Sequence, residues 1–195
     1  MKILIIGGSK SGKSHLAQEL SKALSPRGPM YYWATMEPVD AEDRARIERH
    51  IEDRAGWGFS TVERGRGLVS APLPPDAEEA AVLFDSVTAL VTNELFGDLS
   101  EETFADTKAA VLRAEEAKRR SVAGLLRLSE GFCHCIAVAD DVFRDGREYD
   151  EMTELWRAAL ADTLRALAAE FDTVIEVTAG IMQLRKGRLP EGITI

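Results

Sequence analysis

The sequence predicts a three-layer α/β domain built on a mostly parallel sheet. Two observations carry this: five brief, continuous apolar runs, and helix-like stretches that alternate with them. The runs cover residues 3–6, 30–34, 81–84, 135–139 and 173–177. Each is unbroken rather than alternating, as expected of a strand buried on both faces. The helical stretches are 13–24, 41–54, a longer region within 101–128, and 151–169. Strand and helix in alternation give a parallel sheet flanked by helices. Residues 64–79 interrupt this rhythm with Gly65, Gly67, Pro72, Pro74 and Pro75, and read as a surface loop. Composition does not change beyond it, so the 195 residues are read as one domain.

Composition agrees. Hydrophobic residues make up 45% and charged residues 29%, an ordinary globular balance. The net charge of -9 leaves no general basic surface for a nucleic-acid backbone, so no nucleic-acid partner is expected. No apolar run approaches the length of about 20 residues that a membrane helix needs. The opening Met1-Lys2-Ile3-Leu4-Ile5-Ile6 reads as a strand and not as a signal peptide. Cys133 and Cys135 lie too close for an ordinary disulfide, and a reducing cytoplasm is the simplest compartment.

The first strand runs into Gly7-Gly8-Ser9-Lys10-Ser11-Gly12-Lys13-Ser14, which fits the phosphate-binding pattern G-x-x-x-x-G-K-[ST] at every fixed position. Glycines let the backbone curl so that successive N–H groups converge on phosphate oxygens. The following helix adds the positive end of its dipole. Lys13 is placed to reach the terminal phosphates of ATP or GTP, and the Ser14 hydroxyl to ligate Mg²⁺. The run 81–84 ends in Asp85, either a Mg²⁺ ligand or the N-cap of the next helix. Asp140-Asp141 ends another strand and stays open between an acidic role at the ligand-binding edge and capping.

Of the three histidines, His134 in Cys133-His134-Cys135 reads as a strand position, and His15 as a packed or surface residue. His50 lies on a charged helix, with Arg46 and Arg54 four residues to either side. That face would attract a triphosphate and favour a neutral, nucleophilic imidazole. The same pattern also describes an ordinary solvated helix face.

Taken together, the chain resembles the bifunctional adenosylcobinamide kinase / adenosylcobinamide-phosphate guanylyltransferases of cobalamin biosynthesis. The matching residues are the loop Gly7-Gly8-Ser9-Lys10-Ser11-Gly12-Lys13-Ser14, Tyr32-Trp33-Ala34-Thr35, and Arg46-Ile47-x-x-His50 with Arg54. Trp57, Thr61-Val62-Glu63, Asp85, Thr92-Asn93 and the stretch 164–181 follow in order. The resemblance implies a single P-loop domain of the RecA-like group and a homotrimer. It implies phosphorylation of adenosylcobinamide with ATP or GTP, then transfer of GMP from GTP through a guanylyl-histidine. Carried onto this chain, His50 would be that histidine, and Lys13 the catalytic residue that positions the nucleotide phosphates. Nucleotide contacts are implied at Ala34, Thr35 and Met36, at Ile51, Glu52, Asp53 and Arg54, and at Glu63 and Asp85. The chain departs from the family pattern over residues 140–150, where the usual Asn-Glu-Val-Gly and Val-Pro-Glu-Asn runs are missing. Two alternatives stay open: a kinase of another small alcohol, and a non-catalytic GTP-sensing module.

Overall fold

A computed structural model describes residues 1–97, 107–191 and 193, and within α2 leaves the side chains of Arg46, His50 and Asp53 aside. The elements follow as β1 (Lys2–Gly7), α1 (Lys13–Leu24), β2 (Met30–Ala34), α2 (Ala41–Asp53), β3 (Phe59–Glu63), β4 (Ala81–Asp85) and α3 (Val87–Phe96). After these come α4 (Thr107–Gly131), β5 (His134–Asp140), α5 (Glu151–Glu170), β6 (Thr173–Thr178) and β7 (Ile181–Lys186). The strands form one sheet in the order β3-β2-β4-β5-β1-β6-β7, parallel except for the β6–β7 pair.

Both faces of the sheet are covered, which is why its inner strands read as continuous apolar runs. Successive side chains point to opposite faces. Ile3 and Ile5 therefore join Leu16, Ala17 and Leu20 of α1, while Leu4 joins the core shared with α3, α4 and α5. The same alternation splits Val82 and Phe84 from Leu83, and Ala137 and Ala139 from Ile136 and Val138. Fully burying one such Leu or Ile contributes about 1.5–3 kcal/mol.

All five expected strands are present, extended by a residue or two at most, and two further strands lie at the sheet's edges. β3 and β7 are largely exposed, so neither carries an apolar run. The hairpin from β6 to β7 turns at Ala179 and Gly180, with φ of 51° and 80°. Left-handed backbone at both central residues is the turn geometry that suits the twist of paired strands. Helix α3 was not expected as a separate element. The expected helical region 101–128 appears as α4, and residues 101–106 lie outside the described residues. Residues 64–79 are not simply a surface loop. Leu68, Ala71 and Ala77 are buried there, and Leu68 packs so closely on Gly124 of α4 that a Cβ at that glycine would lie 2.6 Å away.

Candidate active site

The phosphate loop starts where β1 leaves the sheet. A Cβ at Gly7 would lie 2.5 Å from the Val177 carbonyl oxygen and 2.7 Å from Ser11 Oγ, so close approach to β6 demands glycine there. Farther along, Lys10 has φ of 56° and Gly12 φ of 95°. Gly12 precedes α1 and has no side chain to cap it, which leaves the first-turn N–H groups for an anion. The loop is held from outside as well, since Gly180 N donates to the Ser11 carbonyl at 2.9 Å. Lys13 is nearly buried. Its ammonium donates to the Gly8 carbonyl at 3.1 Å and pairs with Asp140 Oδ1 at 2.8 Å.

Sheet register sets the acids. Asp140 lies opposite Gly7, Asp85 opposite both Val138 and Ala34, and Ala34 opposite Glu63. All belong to parallel strands, so these residues gather on the carboxyl edge beside the loop, where open α/β sheets bind ligands. Asp140 thus gains a definite place as the partner of Lys13. Helix capping does not apply to Asp140-Asp141, because α5 starts at Glu151 and is capped by Asp150. Asp141 Oδ1 instead accepts from Phe143 N at 3.2 Å, and its carboxylate pairs with Arg144.

Asp85 is not a cap either: Ser86 caps α3, accepting from Ala89 N at 3.2 Å. Tyr32 OH donates to Asp85 Oδ2 at 2.8 Å. Burial, and then the charge of Asp85, push the Tyr32 phenol far above its ordinary value, so it stays a donor. The Arg54 guanidinium lies 4.1 Å from the centroid of the Tyr32 ring. The Asp85–Ser86 peptide is cis, and Thr35 bridges it, its hydroxyl donating to Ser86 O at 2.8 Å and accepting from Ser86 N at 2.7 Å. Thr35 is fully buried in that role.

Between α2 and these strand ends lies a cleft of about 520 Å³. It brings together Ala34, Met36, Arg54, Glu63 and Asp85 of the expected contacts, and adds Asp140. Ile51 and Glu52 are exposed and do not line it. On α2, position 50 lies one helical turn beyond Ile47 and one before Arg54, both of which line the cleft. Gly8, Ser9, Lys10 and Ser11 open instead onto a second cleft, toward β6. Ser14 lies half-buried in the first turn of α1.

Residues 3–184 match the sequence profile described as cobinamide kinase / cobinamide phosphate guanyltransferase. The chain belongs to this family. Among curated relatives, the bifunctional adenosylcobalamin biosynthesis protein CobU of Salmonella typhimurium is 39% identical over 98 residues, 49% of this chain and 51% of that protein. The Escherichia coli protein of the same name is 38% identical over 99 residues, again 49% and 51%. The chain thus spans about half the length of the curated relatives it matches. Among solved structures, the flagellar accessory protein FlaH of Methanocaldococcus jannaschii aligns with a TM-score of 0.47 and 16% identity, covering 96% of this chain and 78% of its own.

Sequence reasoning missed Tyr32 as the residue that holds Asp85, and left Asp140 unassigned. The signal for Asp140 was an acid ending a buried strand, but which strand neighbours β1 cannot be read from the sequence.

Proposed function

We propose that this family member is a bifunctional transferase. It phosphorylates adenosylcobinamide with ATP or GTP, and then passes GMP from GTP to the phosphorylated product through His50. One observation carries the reading: Lys13 of the phosphate loop pairs with Asp140, one of the acids of a carboxylate-lined cleft whose other wall is the helix that bears position 50 and ends at Arg54.

In the first step the acceptor hydroxyl oxygen bonds to the γ-phosphorus, and the β–γ bridging bond breaks toward the nucleoside diphosphate. Asp140, which lines the same cleft, would take the hydroxyl proton, while Lys13 balances the charge on the transferred group. In the second step an imidazole nitrogen of His50 bonds to the α-phosphorus of GTP, and pyrophosphate leaves. The phosphate of the first product then attacks the same phosphorus, forming the diphosphate linkage and freeing the imidazole. Ser14 and Asp85 would hold Mg²⁺. A hydroxyl and a carboxylate are the hard oxygen donors this ion takes, and a cleft lined by Glu63, Asp85 and Asp140 needs a cation to admit a triphosphate. When bound, Mg²⁺ neutralises phosphate charge. The reading takes the chain as one P-loop domain acting in the cytoplasm as a homotrimer.

Incubation with α-labelled GTP tests the assignment. Label should attach through a phosphoramidate, labile to acid and stable to alkali, and His50→Ala should abolish it. His15→Ala and His134→Ala should not, because His15 is exposed against Trp57 and His134 lies at the start of β5 beside the Met1 amino group. Label uptake by His50→Ala at the wild-type rate would sink the guanylyl-histidine and favour the simple kinase. Absence of both label and corrinoid-dependent ADP release would leave the sensor.

A further inference from the structure

The second cleft, of about 720 Å³, lies on the β6 side of the phosphate loop. Gly8 to Ser11 form one wall, the end of β6 another, and residues 141–149 with the first turns of α5 the third. This third wall is the stretch in which the sequence departs from the family pattern. The two clefts meet at the end of β5, where Asp140 lines the first and Asp141 the second.

Lys13 gives the loop a direction. Its ammonium is drawn to Asp140, on the side of the first cleft, and in such loops this lysine meets the outer phosphates. A triphosphate with its outer end at Lys13 therefore runs its inner end back over Gly8 to Ser11, toward the second cleft. The lining there suits what the inner end carries. Tyr149 and Trp156 present aromatic surface, with the Arg157 guanidinium 5.2 Å from the Tyr149 ring centroid. Trp156 is fixed by its Nε1–H, which donates to Thr92 Oγ1 at 3.0 Å. Among the described residues, three buried polar side-chain atoms have no hydrogen-bond partner, and two of them, Ser11 Oγ and Arg157 Nε, belong to residues lining this cleft.

We propose that the second cleft seats the purine nucleoside of the triphosphate that donates its terminal phosphate. The first cleft is thereby left to the acceptor hydroxyl and, in the later step, to the GTP that meets position 50. This rests on the phosphate-loop part of the functional reading and not on the guanylyl-histidine.

Calorimetry on the full chain with Mg²⁺, using a non-hydrolysable ATP analogue and inorganic tripolyphosphate, tests it. Tyr149 is partly exposed, and Tyr149→Ala should weaken the analogue on the order of tenfold, the usual scale of base–aromatic stacking. The same variant should leave tripolyphosphate binding unchanged, which also reports an intact loop. Tyr149→Phe, which keeps the ring and loses the bond to Asp145, should bind the analogue like the wild type. Undiminished analogue affinity in Tyr149→Ala, with tripolyphosphate still bound, overturns the inference alone. Tripolyphosphate binding that is absent, or that survives Lys13→Ala unchanged, overturns the phosphate-loop reading and the inference with it.

Discussion

Helices α1 and α2 both follow strands that end at the ligand edge, yet they are held in opposite ways. α1 buries Leu16, Ala17 and Leu20 against the sheet, and its uncapped start is fixed by the loop before it. α2 has no buried residue among those described, and Ile51 is 45% exposed. Its start is secured by Asp40, whose side chain accepts from Asp43 N at 2.8 Å, and its end by Arg54 lying over Tyr32. The helix that follows the phosphate loop is part of the core, and the helix proposed to carry the nucleophile is docked on the core by polar contacts. A group that must approach an α-phosphorus and then release its adduct gains from such a mounting, because displacing it uncovers little apolar surface.

The sharpest way to break this comparison is to truncate one apolar residue on each helix. Leu20→Ala should cost about 2–5 kcal/mol, as a fully buried leucine does, whereas Ile51→Ala should stay within about 0.5 kcal/mol. Denaturant unfolding checks both, and similar losses would mean that α2 is packed more firmly than its exposure suggests. A smaller effect is expected at the ion pair between loop and sheet. Asp140→Asn removes the carboxylate that holds Lys13 at 2.8 Å, and tripolyphosphate should bind roughly fivefold tighter, about 1 kcal/mol. Calorimetry reads this directly, and weaker binding would show that Asp140 supports the loop more than it competes for the lysine. The smallest perturbation is none at all: native-state hydrogen exchange. Amides of α2 should exchange at least about tenfold faster than those in the middle of α1, and equal protection would erase the distinction.

The same contrast explains what was legible in the sequence. Inner strands such as β1 and β4 declare themselves because both faces are buried and residues 3–6 and 81–84 are all apolar. β3, as Phe-Ser-Thr-Val-Glu, and β7, as Ile-Met-Gln-Leu-Arg-Lys, are edge strands whose pairing lies in backbone contacts that side chains do not advertise. α3 is short, with Val87, Thr88, Val91 and Thr92 branched at Cβ, so no helical period stands out. Residues 64–79 carry loop punctuation, and the burial of Leu68 depends on where α4 lies. At the site, the phosphate loop is readable because its requirements are local. The roles of Asp140 and Tyr32 follow from which strands are neighbours, a property of sheet order.

That order also bears on how the site comes into being. The strand that carries the phosphate loop has no neighbour close to it in the chain: Lys2 lies opposite Cys135, and Ile3 opposite Thr173. Before those partners join, β1 is a bare apolar ribbon with unpaired amides. The loop also waits for the turn at Gly180 that braces Ser11. During synthesis on the ribosome, nucleotide would therefore find no seat until the β6–β7 hairpin has cleared the exit tunnel. Nascent chains halted before residue 180 should fail to retain triphosphate, however complete their earlier helices.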